Sequence, residues 1–249
     1  MIKDTLETVV IIPARGGSKG LPDKNISMFQ GHPLIAWPIQ YAKNSKLVSE
    51  IIVSTDSEPI AKEAIAYGAK VPFMRTNEVS SDSTTTEATL QFSLNMAEET
   101  LNKSFDLCCF LTCTDLFRIS NWIDEGIEFL TKNQDYESFF VANKTHKNYW
   151  EYDANKERFR RLAKWMSVYS SRQIRKPIFR EDTGLTCISR SILWREQKRI
   201  GDYNKIVEDD RFETSIDIHS SFDLFLANAV FDWMQENKPE NLPPIPERV

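Results

Sequence analysis

The sequence predicts a doubly wound α/β domain, in which helices cover both faces of a mainly parallel sheet. The period of the apolar residues alternates along the chain between strand-like and helix-like, as this architecture requires. The length of 249 residues is typical of one α/β domain, with or without a small subdomain. With 41% hydrophobic and 27% charged residues, and only 8 glycines and 11 prolines, the chain is unlike collagen-like, low-complexity or wholly disordered proteins. We therefore expect residues 1–249 to form a single globular domain.

Short apolar runs are expected to form the strands of the sheet. The first five are Val9–Ile12, Glu50–Ser54, Asp106–Leu111, Ser138–Ala142 and Leu185–Ser189. A last strand is expected at Thr214–Ile218, directly before the final helix.

Helical spacing is predicted between these strands. The segments are Pro33–Asn44, Glu58–Tyr67, Thr84–Leu101 and Ser120–Lys132. Proline begins the first of them and Gly68 ends the second, as helix boundaries often do. The final helix is predicted over Ser221–Asn237, with six apolar residues at helical spacing. We expect these six to pack in the core: Phe222, Phe225, Leu226, Ala229, Val230 and Trp233.

The alternation of strand and helix fails between Asn143 and Arg180, where aromatic and basic residues are mixed. From Lys156 to Arg180 nine Lys or Arg residues stand against one acid, a local charge of +8 that leaves −13 for the other 224 residues. We interpret residues 143–180, approximately, as an inserted lobe that can face an anion. A solvated basic surface or a subunit contact is the alternative interpretation. Residues 238–249 hold four prolines and are predicted to form an extended tail.

The charge and composition exclude several classes of partner and site. A net charge of −5 gives no reason to expect nucleic acid or an anionic membrane as a partner. No apolar stretch approaches the roughly 18 residues that a membrane span needs, and Met1–Glu7 lacks a signal-peptide core, so we expect a cytoplasmic protein. The cysteines form no C-x-x-C pair, so neither disulfides nor zinc is expected: Cys108, Cys109, Cys113 and Cys187.

A loop rich in glycine and cations follows the first predicted strand. In an open parallel sheet, ligands bind beyond the carboxyl ends of the strands, and a glycine-rich turn there offers backbone N–H groups to oxyanions. The glycines that allow close approach are Gly16, Gly17 and Gly20. The cations suited to a polyphosphate are Arg15, Lys19 and Lys24. The loop is neither G-x-G-x-x-G nor G-x-x-x-x-G-K-[ST], so dinucleotide binding and the P-loop fold lose support.

The run IIPARGGSKGLPDKN over Ile11–Asn25, followed by Gly31–Ile35 and Ile51–Ser57, resembles the acylneuraminate cytidylyltransferase family. Further blocks similar to the family are Tyr67–Arg75, Ser81–Thr84, Ser215–Ile218 and Asp223-Leu224. Those enzymes make CMP-activated nine-carbon keto sugar acids. The resemblance implies a Rossmann-like nucleotidyltransferase sheet with an inserted dimerisation lobe.

The resemblance also implies a reaction in which the anomeric hydroxyl of a keto sugar acid attacks the α-phosphorus of CTP and pyrophosphate leaves. Such a site needs cations along the triphosphate and a divalent metal. Arg15 and Lys24 match the first need, and Asp217 matches the second as a ligand of Mg²⁺, with Mn²⁺ as the alternative. We therefore predict these three as the catalytic residues.

The resemblance assigns further residues to the substrates. Those implied to bind the nucleotide are Ala14, Gly16, Gly17, Ser18, Lys19, Asn25, Arg75 and Ser83. Those implied to bind the acceptor are Thr112, Asp115 and Arg172. Arg172 resembles an arginine that reaches the acceptor carboxylate, often from the neighbouring subunit, and a guanidinium suits a planar carboxylate. A homodimer is therefore expected.

Two departures from the family pattern concern the metal and the acceptor. After Ile218 the family usually has a second aspartate, but this chain has His219, and neutral imidazole is a poor Mg²⁺ ligand. The metal is then held more loosely or shifted toward Asp115. Phe110–Arg118 reads FLTCTDLFR where the family tends to read LLQPTSPLR, which points to an acceptor other than ordinary sialic acid.

The main hypothesis is a cytidylyltransferase for a keto sugar acid of the sialic, legionaminic or pseudaminic type. One alternative is transfer to another anionic acceptor, such as a phosphonate or a shorter keto sugar acid. Another is a degenerate family member that binds nucleotide without catalysis, which the altered loop and His219 motivate. A third alternative, an NAD-dependent oxidoreductase, is disfavoured because the sequence lacks the glycine fingerprint of that class.

Overall fold

A sheet of seven strands runs through the centre of the molecule in the computed structural model. The structure describes residues 6–18, 20–76, 79–80, 84–171 and 173–249. Its strands are β1 Thr8–Pro13, β2 Met28–Phe29, β3 His32–Pro33, β4 Glu50–Ser54, β5 Leu107–Phe110, β6 Ser138–Thr145, β7 Trp150–Asp153, β8 Arg158–Arg161, β9 Ile178–Glu181, β10 Cys187–Arg190 and β11 Asn204–Asp209. The spatial order of the central sheet is β11-β6-β10-β5-β1-β4, with β9 paired to β6.

The sheet is parallel around β1, the first strand predicted from the sequence. This strand pairs in parallel with β4 on one side and β5 on the other. β10 then runs antiparallel to both β5 and β6, while β11 is parallel to β6. The predicted α/β fold class is confirmed, and each of the first five predicted strands begins within two residues of its expected start.

Helices cover both faces of the sheet, which makes the domain doubly wound. They are α1 Ala36–Asn44, α2 Glu58–Ala66, α3 Thr86–Leu101, α4 Trp122–Lys132, α5 Ser191–Arg195 and α6 Ser221–Asn237. Within β1, Val10 and Ile12 face the core shared with α1, α2, α4 and α6, whereas Val9 and Ile11 face α3 and α5. All four are fully buried, as expected of a central strand with two covered faces.

Side-chain caps fix where α3 and α6 begin. The Thr85 side chain accepts a hydrogen bond from the Ala88 amide at the start of α3. Ser220 and Asp223 form a reciprocal capping box at the start of α6, which begins and ends where the sequence predicts. Among the described residues, no helix is long and apolar enough to cross a membrane.

The predicted strand at Thr214–Ile218 is wrong. Glu213–Ser215 form a 3-10 turn, and the residues after it make a single bridge, between Asp217 and Asp115. Ile216 and Ile218 are buried, so the alternation that suggested a strand is real. The segment crosses the ends of the central strands instead of extending beside one of them, so no ladder of hydrogen bonds forms. A strand that the sequence analysis missed, β11, is parallel to β6 and forms the edge of the sheet.

The predicted core face of α6 is right for Leu226 and Val230, which pack partly buried against the core, and wrong for the aromatic residues. Phe222, Phe225 and Trp233 are 68%, 66% and 51% exposed, and the helix instead buries Ala227, Phe231 and Met234. Apolar residues occur on more than one side of this helix. Spacing alone therefore does not identify the side that faces the sheet.

Two phenylalanines of α6 provide a matched test of this orientation. Phe231 packs edge-on against Phe29 and Trp37, with ring centroids 5.5 and 6.0 Å apart. Phe231→Ala is expected to lower the free energy of unfolding by about 3–5 kcal/mol, because it leaves a cavity in the core. Phe225→Ala, on the exposed side, is expected to change it by less than about 0.5 kcal/mol. Urea denaturation measures both, and equal losses would contradict the orientation of α6.

The segment predicted as an inserted lobe leaves the central sheet and returns to it. β6 continues to Thr145, β7 and β8 pair as a separate hairpin, and β9 comes back antiparallel to β6. Its exposed aromatic residues include Trp150, Tyr152, Phe159 and Tyr169. The Arg161 guanidinium lies 4.4 Å from the centre of the Trp150 ring. The hairpin thus presents an aromatic and basic surface.

The proline-rich tail lies against α1 and α2. Pro239–Asn241 form a 3-10 turn. Further on, the Glu247 amide donates to Gln40 Oε1 at 3.0 Å, and Arg248 pairs with Glu63 at 2.8 Å. The four cysteines are buried free thiols, and burial raises the pKa of each.

Candidate active site

Three parallel strands end at one edge of the sheet and bring their following loops together. β1 leads into the glycine-rich loop 14–25, β4 into Thr55–Ser57, and β5 into the loop 112–118. The segment 213–219 crosses the same edge through its bridge to Asp115. The predicted glycine-rich loop therefore lies where open parallel sheets bind ligands.

The glycine-rich loop is held in shape by its neighbours. The Ala14 amide donates to the Ser54 carbonyl, and the Gly16 amide donates to Asp56 Oδ1, both at 2.9 Å. Asn25 Nδ2 donates to the Arg15 carbonyl at 2.9 Å. Gly16 and Asn25, both predicted to bind nucleotide, thus use these donors to fix the loop.

Two other glycines of this loop differ in their surroundings. A side chain at Gly17 would meet nothing within 4 Å, so this turn is open to an incoming group. A Cβ at Gly20 would lie 2.3 Å from the His219 carbonyl oxygen. Only glycine permits that approach, which packs the loop against the segment 213–219.

A cavity of about 320 Å³ opens beside this loop. It is lined by Pro13, Arg15, Arg75, Val79, Ser80, Thr84, Thr86, Thr89, Phe110 and Thr112. Three residues predicted from the sequence to bind substrate therefore share one cavity: Arg15, Arg75 and Thr112.

Arg75 is a buried cation beside this cavity. Its side chain is 4% exposed, and Oδ1 of Asp56 is 3.8 Å from Nη2. Nε and Nη2 have no hydrogen-bond partner among the described residues. Burial lowers the pKa of Arg75, Asp56 opposes the shift, and Arg15 adds to it. Buried donors without partners are costly, so the cavity suits an anion that would accept from them.

Lys24 connects the glycine-rich loop to the segment 213–219. Its Nζ donates to the Ile218 carbonyl at 3.1 Å. Burial lowers the pKa of Lys24, the Asp217 carboxylate opposes that shift, and Arg15 adds to it. Arg15 and Asp217 therefore both lie close enough to Lys24 to influence its pKa, and these are the three residues predicted to be catalytic.

Asp217 and His219 stand side by side at the mouth of the site. His219 Nε2 lies 2.7 Å from Asp217 Oδ2, and the two side chains are 69% and 47% exposed. Among the described residues, no group of three or more His, Cys, Asp or Glu side chains is arranged to hold a metal. A half-exposed carboxylate nevertheless fits a cation that keeps waters and phosphate oxygens as its other ligands.

Asp115 is a buried carboxylate at the end of β5. It accepts a hydrogen bond from the Thr112 hydroxyl, so these two predicted acceptor residues are paired with each other. Burial raises the pKa of Asp115 to about 6, while Arg118 opposes the shift and Asp217 adds to it. A Cβ at Gly184 would lie 2.3 Å from Asp115 Oδ2, so a side chain at this position would displace the Asp115 carboxylate.

The raised pKa of Asp115 makes stability depend on pH. Below about pH 4 the carboxyl is protonated in both folded and unfolded chains and costs nothing. As pH rises through about 6 the folded chain must ionise a buried group, which lowers the free energy of unfolding by about 3 kcal/mol. Asp115→Asn is therefore expected to stabilise the protein at pH 8 and to have little effect at pH 4. Urea denaturation at both pH values measures this, and an equal effect at the two would contradict it.

Arg118 fixes the loop that carries Thr112 and Asp115. Its buried guanidinium donates to the carbonyls of Thr112 and Gly184 at 2.6 and 2.8 Å, and to that of Leu185. The Tyr41 hydroxyl donates to the Arg118 carbonyl at 3.0 Å. This arginine therefore links the loop that follows β5 to the residues that lead into β10.

Three predicted site residues lie outside the part of the chain that the structure describes, and the structure adds two residues that were not predicted. Lys19, Ser83 and Arg172 lie outside the described residues. Sequence reasoning missed the positioning roles of Asp56 and Arg118. Asp56 lies two residues after the end of β4, in a segment that resembles the family, and this placement is the signal that could have identified it.

A family model described as cytidylyltransferase matches residues 9–215 of this chain. The pseudaminic acid cytidylyltransferase of Campylobacter jejuni is 39% identical over 129 residues, which are 52% of this chain and 55% of that protein. The N-acylneuraminate cytidylyltransferase A of Danio rerio is 40% identical over 142 residues, or 57% and 31% of the two chains. The CMP-N,N'-diacetyllegionaminic acid synthase of Legionella pneumophila is 37% identical over 123 residues, or 49% and 53%. The matches span about half or less of each relative's length.

Solved structures share the fold at low sequence identity. The structure of CMP:2-keto-3-deoxy-manno-octonic acid synthetase complexed with CTP superimposes with a TM-score of 0.68 at 14% identity, covering 91% of this chain and 99% of that one. The 4-diphosphocytidyl-2C-methyl-D-erythritol synthase of Anaerococcus prevotii gives 0.63 at 13% identity, covering 92% and 100%. The architecture is thus that of known nucleotidyltransferases.

Proposed function

Because this chain belongs to the cytidylyltransferase family, we propose that it transfers CMP from CTP to the anomeric hydroxyl of a nine-carbon keto sugar acid. The acid is of the sialic, legionaminic or pseudaminic type, which are the substrate classes in the names of its relatives. The observation that carries the proposal is the cavity at the ends of β1, β4 and β5. Its wall includes Arg15 and also Arg75, whose Nε and Nη2 lack a hydrogen-bond partner in the part of the chain that the structure describes.

The proposed chemistry is a displacement at phosphorus. The acceptor oxygen forms a bond to the α-phosphorus of CTP, and the bond from that phosphorus to the bridging oxygen breaks. The electron pair leaves with pyrophosphate, and the hydroxyl proton passes to solvent. Catalysis of such a step is mainly positioning and electrostatic stabilisation, so the protein must supply cations and alignment.

Arg15, Arg75 and Lys24 are the cations for the triphosphate in this proposal. Arg75 offers Nε and Nη2, which have no hydrogen-bond partner among the described residues, to a nucleotide oxygen in the cavity. Lys24 and Arg15 face the phosphates that gain charge as pyrophosphate departs. Asp217 would hold a divalent cation, and that cation would supply further positive charge along the phosphates.

The acceptor is proposed to enter beside the end of β5. Thr112 lines the cavity, and the buried Asp115 lies directly behind it. Asp115 adds negative charge, so this side suits hydroxyl or amide hydrogens of a sugar better than its carboxylate. The carboxylate must then be recognised elsewhere. We place the reaction in the cytoplasm on the basis of the sequence alone.

We propose that Arg172 of a second subunit binds this carboxylate in a homodimer. Arg172→Ala is expected to raise the apparent KM for the acid and leave CTP affinity nearly unchanged, because only the carboxylate contact is lost. Arg158→Ala, an exposed arginine of β8, is the matched control. Mixing Arg172→Ala with Lys24→Ala subunits should restore some activity, since a mixed dimer would contain one intact site. A fully active monomer in sedimentation, or no recovery in verified mixed dimers, would refute the shared site.

A pyrophosphate-release screen tests the function and the acceptor class together. CTP and a divalent cation are combined with a panel of keto sugar acids of nine and eight carbons and with phosphonates. Release is expected with a nine-carbon keto sugar acid. Release only with a phosphonate or a shorter acid would support the alternative acceptor. Binding of CTP in calorimetry with no release from any acid would support a degenerate, nucleotide-binding protein.

A further inference from the structure

A second cavity, of about 430 Å³, lies between the β2–β3 hairpin, α2 and the tail 238–249. Its volume is within the range of small-molecule binding sites. It shares no lining residue with the cavity that holds Arg15 and Arg75. The proposed function does not use this second cavity.

The tail brings Arg248 to the wall of this cavity, and backbone contacts on both sides of the residue hold it there. The Glu247 amide donates to Gln40 Oε1 at 3.0 Å. The Val249 amide donates to the Ala66 carbonyl, also at 3.0 Å. The position from which Arg248 projects is therefore fixed by its two neighbours in the chain.

Side-chain contacts orient Arg248 and His32 around the buried Tyr67. Nη2 of Arg248 donates to Glu63 Oε2 at 2.8 Å, and its Cζ lies 5.0 Å from the centre of the Tyr67 ring. His32 Nδ1 lies 3.0 Å from the Tyr67 hydroxyl. A guanidinium has several N–H donors, so Arg248 retains donors after its contact with Glu63. These polar groups are in place before a ligand arrives, which lowers the entropy cost of binding.

The charged side chains of the cavity are mainly basic. Lys62 and Arg248 stand against one acid, Glu63. Glu63 is already paired with Arg248, and Lys62 has no carboxylate within ion-pair distance among the described residues. The charge of Lys62 is therefore available to an anionic ligand.

The rest of the wall is largely apolar. It includes Ile26, Met28, Pro33 and Pro59. Met28 is 58% exposed, so apolar surface at the rim of the cavity remains in contact with water. Covering this surface with an apolar group of a ligand is favourable.

We propose that this cavity binds a small organic anion. Its carboxylate or phosphate group pairs with Lys62 and Arg248, and a compact apolar part covers Met28 and Pro59. Arginine and lysine both recognise such oxyanions, and the guanidinium can donate two hydrogen bonds to one of them. The cavity is separate from the candidate active site, so the inference does not depend on the proposed function.

Nuclear magnetic resonance of the methionine methyl groups tests this binding directly. In protein labelled with ¹³C at these methyl groups, phenyl phosphate and benzoate are titrated separately. The Met28 resonance is expected to shift saturably with at least one of the two, while those of the buried Met166 and Met234 stay unchanged. Tighter binding of phenyl phosphate would assign phosphate monoesters, and tighter binding of benzoate would assign carboxylates. No saturable shift of Met28 with either probe would overturn the proposal.

Matched ligands separate the contribution of the charge from that of the apolar contact. Benzyl alcohol has a ring but no charge, whereas acetate and inorganic phosphate have the anionic group but no ring. Each is expected to bind about tenfold more weakly than the better of the two probes. Equal affinity for benzyl alcohol would refute an anion site, and equal affinity for the ringless anion would refute the apolar contact.

Substitutions locate the site in the molecule. Lys62→Ala and Arg248→Ala are each expected to weaken binding of the better probe by about fivefold, the scale of one exposed charge pair. Lys132→Ala, which removes an exposed lysine of α4, should bind normally, as should Arg15→Ala in the candidate active site. Because Arg248 also holds the tail, Lys62→Ala is the decisive variant. Unchanged affinity in Lys62→Ala, with circular dichroism showing an intact fold, or a loss in Arg15→Ala alone, would overturn the proposal.

Discussion

Asp217→Asn is expected to reduce turnover by about a thousandfold at saturating CTP. The carboxamide keeps the shape of the side chain but removes the negative charge that attracts a divalent cation. Such a cation is worth several kcal/mol of charge stabilisation, and each 1.36 kcal/mol is a factor of ten in rate. Asp217 is about half-exposed, so the substitution should leave the fold unchanged. Pyrophosphate release under single-turnover and steady-state conditions measures the loss.

Asp210→Asn is the matched control for this substitution. Asp210 is an exposed aspartate seven positions earlier in the chain, so its substitution removes the same charge from the surface. It should retain nearly full turnover. If Asp217→Asn were equally active, with both variants folded by circular dichroism, the divalent cation would have to be held by other residues.

Lys24→Ala and Arg15→Ala are each expected to reduce turnover by on the order of a hundredfold or more. In the proposed function, each substitution removes a preorganised cation from the position where charge would develop on the α-phosphate and the departing pyrophosphate, and the loss of one such partner has this scale. Arg15 influences Lys24 electrostatically and lines the cavity. The loss should appear in kcat as well as in kcat/KM, because the interaction strengthens in the transition state.

Lys24 also has a structural contact, so its variant needs a control of stability. Its Nζ donates to the Ile218 carbonyl, which helps to hold the segment that carries Asp217. Urea denaturation should therefore accompany the kinetics, with Lys132→Ala, an exposed lysine of α4, as the surface control. Near wild-type turnover in both Lys24→Ala and Arg15→Ala, with stability intact, would place the phosphates elsewhere.

The periodic segments of the sequence predict the fold well because their signals are local. β1, β4 and β5 are apolar runs that need burial, and each begins within two residues of its predicted start. Once they are parallel, the placement of the glycine-rich loop at their carboxyl ends follows from geometry.

The errors in the fold come from choices that depend on distant parts of the chain. Residues 214–218 alternate like a strand, but no neighbouring strand is available where they cross the sheet. α6 carries apolar residues on several sides, and only the packing of Phe231 against Phe29 and Trp37 decides which side is buried. Such partners lie 194 and 202 positions away in sequence, beyond the reach of a local pattern.

The sequence was enough to predict which residues belong to the candidate site, but not which of them contact one another. Arg15, Arg75 and Thr112 come from three different blocks of the sequence, and they share one cavity. The hydrogen bond from Gly16 to Asp56 and the bridge between Asp115 and Asp217 depend on tertiary packing, and neither has a local signal. The exchange of an expected aspartate for His219 was visible in the sequence, but its pairing with Asp217 required the structure.

The most direct test of cytidylyl transfer is ³¹P nuclear magnetic resonance of the reaction with CTP and the acid selected by the screen. We expect the CTP resonances to be replaced by those of pyrophosphate and of one phosphodiester in equal amounts. Mass spectrometry of the phosphodiester should give the mass of the acid joined to CMP with loss of water. Conversion of CTP to CMP and pyrophosphate without a sugar-linked product would contradict the account, as would unchanged CTP with every acid of the panel.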